Sequence, residues 1–356
     1  MRAAVTRGQE LVVDEVDDPV PGPGQVLVRT LACGICGSDL HALTHLAQLA
    51  ELSRRVGAPG GLDPACDVVF GHEFCAEVVD FGPGTERSVP VGTTVCSVPI
   101  VLGSQGPETV GYSNRYPGGF GELMVLQDLL LLPVPSDVPP RTAALTEPLA
   151  VGEHAVAAAR IQDGDVCLVI GCGPVGLAVI AALKARGHGP VLAADFSRAR
   201  RWLAEQLGAD ELLDPAATSP YGRWSDFGVP VTLLERGAFE MVGAAARNAV
   251  IFEAVGSPGV LQAVVDGAPP RARIVVVGVC MEPDEVEPFV AVAKELEIRF
   301  SFGYSRDEFA AVLDRVGQGA IAVDSLVTGT VGLDGVAGAF RALGHPDDHV
   351  KILVQP

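Results

Sequence analysis

Basic residues are scarce in this sequence: 25 Lys and Arg stand against 44 Asp and Glu, a formal net charge of −19. A chain of that sign has little with which to neutralise phosphates, which argues against nucleic acid as a partner. The acidic excess bears on solubility and says nothing of fold. An apolar leader is also missing. Met1-Arg2-Ala3-Ala4-Val5 runs into Glu10 and Asp14 without a hydrophobic core, so no secretory signal is read and a cytoplasmic location is expected. The eight cysteines are then expected as thiols or ligands rather than disulfides. A membrane span is lacking too. Val166 to Leu183 is uncharged for 18 residues, but three glycines and a proline interrupt it, and a spanning helix needs about 20 predominantly apolar residues. What remains is 356 residues, 48% hydrophobic and 19% charged, a globular composition of about two domains.

The chain is organised around Asp165 to Asp195, DVCLVIGCGPVGLAVIAALKARGHGPVLAAD. An apolar run, Val166 to Ile170, leads into Gly171-Cys172-Gly173-Pro174-Val175-Gly176, an Ala/Leu-rich segment to Arg186, and a second apolar run ending at Asp195. The pattern predicts strand, tight turn, helix and strand. Gly171 makes the turn, Gly173 admits a pyrophosphate to the backbone, and Gly176 lets helix pack on strand. The helix start at Pro174 and Val175 would face that anion, the Val175 amide donating where Pro174 has no N–H. Asp195 falls 19 residues after Gly176, where a carboxylate can take the adenosine ribose hydroxyls and repel a 2′-phosphate. NAD is therefore expected over NADP, with Arg198, Arg200 and Arg201 able to soften that preference.

Upstream, a Pro/Gly-rich lead precedes a strand run at Gln25 to Thr30, followed by Cys33-Gly-Ile-Cys36-Gly-Ser38-Asp39-Leu-His41. Cys33 and Cys36 alone would suit a redox pair, but the βαβ context for one is absent. Phe70-Gly71-His72-Glu73 and Glu147-Pro148-Leu149-Ala150 complete a second pattern. A catalytic zinc wants three protein ligands and one open position. Cys36, His72 and Glu147 offer thiolate, imidazole and carboxylate, two negative charges against a dication.

These motifs, GICGSDLH, GHE, GGFGE at Gly118, EPLAVGEHA and GCGPVG, stand in an order that resembles the zinc-dependent medium-chain dehydrogenases of the alcohol and polyol type. The resemblance covers essentially the whole chain. It implies an α/β protein: a GroES-like β catalytic domain over 1–150 and 296–356, interrupted by a Rossmann doubly wound parallel sheet over 151–295. It implies Cys36 and His72 as zinc ligands, with Glu147 or the adjacent Glu73 as the third. Ser38 would touch the substrate oxygen, and His41 would pass the proton outward through the nicotinamide ribose. Asp39 would orient a ligating imidazole. Val277, Gly278 and Val279 would lie against the nicotinamide, with Val255 and Arg200 also binding the cofactor. The implied activity is hydride transfer between an alcohol or carbonyl substrate and NAD, in a homodimer or homotetramer. The alternatives are an NADPH-linked carbonyl reductase and a catalytically silent cofactor-binding relative, the latter opposed by the intact set of site residues.

Three departures stand out. The segment Thr85 to Leu126 holds only Cys96, so the four-cysteine structural zinc of many relatives is not expected, leaving one zinc per chain. The lobe GSQGPETVGYSNRYPGG must then hold itself by packing and turns. Thirty residues separate His41 from His72, and Leu43, Leu46, Ala47, Ala50 and Val56 fall near helical spacing. That segment reads as a surface helix, or else as a wall of the substrate cleft or a subunit contact. Gly37 replaces a basic residue that some relatives place near the pyrophosphate. Tyr112, Tyr116 and Val279 are expected to shape the pocket, His154 to pack, and Pro215 to Ala249 to be irregular.

Overall fold

The strand Gln25–Gly34 is the longest among the described residues and the axis of the first unit. A computed structural model describes residues 1–57, 62–87, 89–104, 106–321, 323–345, 347 and 349–356. The strand pairs antiparallel with Glu73–Phe81, from Val26 opposite Phe81 to Gly34 opposite Glu73. It also pairs with Leu123–Gln127 and, at its end, with Lys351–Val354. Alternate apolar residues send Val26, Val28, Phe74, Ala76, Val78, Met124 and Leu126 into one buried core. Phe120 and the helical Phe340 meet edge-on there, ring centres 5.9 Å apart. The register has a chemical consequence: Gly34 faces Glu73, and a Cβ on Gly34 would fall 2.0 Å from Glu73 Oε2. Only glycine leaves room for that carboxylate.

The chain divides into two units, Met1–Glu147 with Phe309–Pro356, and Pro148–Glu308. The second contains six parallel strands in the order Glu211–Leu213, Val191–Ala194, Val166–Ile170, Ala249–Glu253, Arg273–Val276, Glu297–Phe300. Val166–Ile170 and Ala249–Glu253 are buried at every residue, as expected of strands covered on both faces. The order reverses between these two, which places the ligand crevice of such a sheet at their carboxyl ends.

Several expectations are corrected. The later domain limit falls after 295, because Glu297–Phe300 is the sixth strand of the parallel sheet, bonded to Arg273–Val276. Pro215 to Ala249 is not irregular: it holds a 3-10 helix, Pro220–Phe227, and an α-helix, Leu233–Met241, whose start is capped by Thr232. The segment after Cys36 is one helix, Gly37–Arg55, broken by non-helical backbone at His45. Its inner face is Ala42, Leu43, Leu46, Leu49 and Ala50. Ala47 points outward and Val56 lies past the helix end, 80% exposed. The break at His45 re-phases the face, which a single helical period cannot anticipate. His154 does more than pack: its Nδ1 lies 3.0 Å from a Glu308 carboxylate oxygen.

Candidate metal and dinucleotide sites

Cys36 is the N-cap of the helix Gly37–Arg55, where the chain leaves the long strand with extended backbone. Its amide donates to Asp39 Oδ2 at 2.9 Å, satisfying one of the helix's orphan donors. Asp39, fully buried, turns its other oxygen to His72 Nδ1 at 3.4 Å. His72 enters the adjacent strand beside Glu73, so a helix cap and a strand start converge. The ligand atoms of Cys36, His72 and Glu73 all lie within 4.8 Å of one another, the one such trio found among the described residues. Burial opposes a proton on His72, but Asp39 beside the ring, with Cys36, pushes the imidazole well above its ordinary value. Surroundings that favour positive charge on the ring also favour a cation next to it. Thiolate, imidazole and carboxylate are zinc donors, and a carboxylate behind Nδ1 is what a ligating imidazole uses. The residues fit the metal.

Glu73 has a second partner that the sequence reading missed. Lys351 Nζ lies 2.7 and 2.6 Å from its two oxygens and 3.0 Å from the Ile35 carbonyl. Burial opposes the charge on Lys351, but Glu73, then Cys36 and Glu147, raise its pKa above the ordinary value. Glu147, buried at the first turn of the helix Thr146–Ala158, lies outside the trio but within the field felt by Lys351. The available signal was a lysine opening a closing strand, Lys351-Ile-Leu-Val, of otherwise apolar type: a buried lysine requires a partner.

Ser38 is half-buried on the first turn, and His41, one turn on, is exposed. Among the described residues the His41 ring makes no hydrogen bond, whereas Ser38 Oγ lies 2.8 Å from the Tyr112 hydroxyl. Burial, with Asp39 and Cys36 nearby, pushes the Tyr112 phenol well above its ordinary value, so it stays protonated. Tyr112 sits on the lobe whose cysteines are missing. There Glu108, 3% exposed, accepts from Ser113 Oγ at 2.7 Å and from the Arg115 guanidinium. This ion pair, a buried Glu108 held by an exposed Arg115, pins the turn, an ionic device that composition alone did not suggest.

In the second unit, Gly171 ends its strand at φ +89°. A Cβ on Gly176 would lie 1.8 Å from the Gly171 carbonyl, so the helix Pro174–Ala185 packs this closely only without a side chain there. The place a side chain would take at Gly173 is open, its nearest neighbour Arg200 Nη1 at 3.8 Å. Arg200 Nε is buried without a hydrogen-bond partner, an orphaned donor beside the glycine turn that suits an anion. Asp195 Oδ2 accepts from the Cys172 amide and Oδ1 from the Ser197 amide, each at 2.7 Å, so its carboxylate is fixed at the carboxyl edge of the sheet. Arg198 is exposed, and Arg201 is bonded to the Asp195 and Phe196 carbonyls and to Asp214. Val255 and Val279 are exposed while Val277 is buried beneath the surface. Glu253, which the motifs did not mark, accepts from the Val255 and Gly256 amides through its side chain, and from Val277 and Gly278 through its carbonyl. It joins the loop of Val255 to that of Val277 to Val279, both expected to bind the cofactor.

An alcohol dehydrogenase GroES-like domain profile matches residues 22–136, and a zinc-binding dehydrogenase profile matches 174–318. The (R,R)-butanediol dehydrogenase of Bacillus subtilis strain 168 is 34% identical over 367 residues, spanning all of both chains. The structure of the alcohol dehydrogenase RspB from Escherichia coli CFT073, complexed with NADH, is similar with a TM-score of 0.79 and 26% identity, over 100% of this chain and 99% of that one. A Sinorhizobium meliloti 1021 protein described as a zinc-binding dehydrogenase, solved bound to NADP, matches with a TM-score of 0.79 and 25% identity at the same coverage. The chain belongs to the zinc-dependent medium-chain dehydrogenase/reductase family. No helix among the described residues is long and apolar enough to cross a membrane.

Proposed function

We propose that this dehydrogenase is an NAD-dependent zinc alcohol dehydrogenase interconverting a small primary or secondary alcohol and its carbonyl. The observation that carries the reading is the convergence of Cys36, His72 and Glu73 within 4.8 Å, with Asp39 behind the imidazole. Cys36, His72 and one carboxylate, Glu147 or Glu73, would hold the zinc. When bound, the metal supplies Lewis acidity toward the substrate oxygen and the dinucleotide supplies a hydride acceptor. Asp39 fixes the His72 ring. Ser38 takes the proton of the substrate hydroxyl as its own hydroxyl proton passes outward, and His41, exposed one turn on, delivers that proton to water. Asp195 favours NAD by opposing a 2′-phosphate.

A second reading, NADP-linked carbonyl reduction, rests on Arg200, whose buried Nε lacks a partner beside Gly173. A phosphate would satisfy it. Exposed Phe289, Phe300 and Phe302 at and beside the sheet-edge strand Glu297–Phe300 support a homodimer or homotetramer, here proposed as cytoplasmic. The test is cofactor reduction by the zinc-loaded protein over alcohols of graded size, beginning with 2,3-butanediol, the alcohol named for the Bacillus relative. Turnover with NAD supports the reading; zinc-loaded protein that turns over no alcohol and no carbonyl contradicts it.

A further inference from the structure

Tyr112 stands where three parts of the metal site meet. Its hydroxyl oxygen lies 2.8 Å from Ser38 Oγ and 2.9 Å from Asp39 Oδ1. Its ring lies 5.3 Å from that of His72 and 5.7 Å from that of Phe70, tilted by 41° and 48°. The backbone holds it there, with Tyr112 N bonded to the Thr109 carbonyl and Gly111 N to that of Tyr116.

The phenol has one proton for two neighbours. A carboxylate is the stronger acceptor, and Asp39 already accepts from Cys36 N on its other oxygen. The phenol proton therefore goes to Asp39, and the bond to Ser38 runs the other way, Ser38 donating to the phenol oxygen. Oriented in this way, Ser38 presents a lone pair to the substrate hydroxyl, and as that proton arrives its own leaves the phenol oxygen and passes outward toward His41. Packing against Phe70 and His72 requires the ring alone, and phenylalanine would serve. The hydroxyl has a separate purpose.

We infer that Tyr112 is a positioning residue: it fixes Ser38 as a proton acceptor and ties it to the carboxylate that orients His72. This rests on the reading of Ser38 as the group that takes the substrate proton. Tyr112 itself need not touch the substrate.

The test compares zinc-loaded wild type with Tyr112→Phe, Ser38→Ala and the double variant, reading zinc content, denaturant midpoint, and kcat and KM separately. Tyr112→Phe keeps the ring, so zinc content should match wild type. Its kcat should fall about tenfold, less than the roughly 100-fold that outright loss of a proton-transfer group costs, because Ser38 itself is kept, with KM within about twofold. In the Ser38→Ala background the same substitution should change kcat by less than about twofold, because both remove one interaction. The midpoint shifts of the two single variants should likewise fail to add. Wild-type kcat in Tyr112→Phe, alongside a damaged Ser38→Ala, overturns the inference and leaves the Ser38 reading standing. An equal loss in both backgrounds overturns it too, as does loss of zinc from Tyr112→Phe, which would mean that Tyr112 acts through His72. Wild-type turnover in Ser38→Ala overturns the Ser38 reading and the inference with it.

Discussion

Lys351 Nζ sits between the two carboxylate oxygens of Glu73, at 2.7 and 2.6 Å, and neither side chain exceeds 2% exposure. The last strand of the chain thus neutralises a carboxylate at the metal trio. Removing one partner of a buried pair leaves an uncompensated charge, at about 3–5 kcal/mol. Lys351→Met should therefore lower the unfolding midpoint by on the order of 10 °C, and adding Glu73→Gln should restore part of the loss. Thermal unfolding of the three proteins checks this; a Lys351→Met midpoint equal to wild type contradicts it. Against burial, Glu73 raises the Lys351 pKa above its ordinary 10.5. A cation raised in the folded state contributes stability below its unfolded pKa and loses it as pH rises through the folded one. The gap between wild type and Lys351→Met should therefore stay level from about pH 6 to 9 and close only in stronger alkali.

That pair also bears on which carboxylate serves zinc. Glu73 lies in the trio but is committed to Lys351. The expectation is that Glu147→Gln loses zinc to a chelator on the order of 10 to 100 times more readily than wild type, the scale seen when a metal site loses a supporting group, while Glu73→Gln changes less. Cys36→Ser should abolish retention, and Cys33→Ser, at a fully buried position, should leave it. Release kinetics followed with a chromogenic chelator decide; a larger effect from Glu73→Gln makes Glu73 the ligand.

Cofactor choice sets Asp195 against Arg200. The fixed Asp195 carboxylate should make kcat/KM higher with NAD than with NADP, by about tenfold or more if a like charge costs over 1.4 kcal/mol. Arg200→Ala should weaken both cofactors if the guanidinium meets the shared pyrophosphate, and NADP alone if it meets a 2′-phosphate. Initial rates at subsaturating cofactor separate these outcomes. Equal efficiency in wild type would show that Arg200 has overridden Asp195.

His41 is exposed, so solvent can partly replace it. Loss of a general base typically costs on the order of 100-fold or more; here His41→Gln should slow oxidation about tenfold and keep zinc. The deficit should shrink as pH rises, because hydroxide substitutes for the missing base. Oxidation rate against pH measures this, and a deficit that does not vary with pH would assign His41 a positioning role only.

The legible parts were those where one residue type answers one local demand. Gly176 is required by a backbone approach, Asp195 by the end of a strand, Cys36 and His72 by donor chemistry, and each stands in a motif. The illegible parts depend on residues distant in sequence. Lys351 meets Glu73 across 278 positions, so the last strand looked like an ordinary edge with one odd lysine. Tyr112 reached the site because a lobe without cysteines is pinned by Glu108 and Arg115, a pairing that no spacing rule encodes. The inner face of the helix after Cys36 was misphased at Ala47 and Val56 because the break at His45 shifts the period. Glu297–Phe300 joined the parallel sheet through backbone pairing, although its mostly exposed, charged residues do not read as a buried strand.

On the proposed reading, Cys36 and His72, with one carboxylate, form a metal centre on which alcohol oxidation depends. The direct measurement is zinc per chain by atomic emission, together with NAD reduction by an alcohol substrate, before chelation, after chelation and after zinc is restored. About one zinc per chain is expected, as a catalytic site without a structural partner requires. Activity should fall with zinc and return with it, in wild type but not in Cys36→Ser. Full activity in zinc-free protein, or zinc retained by Cys36→Ser, would contradict that reading.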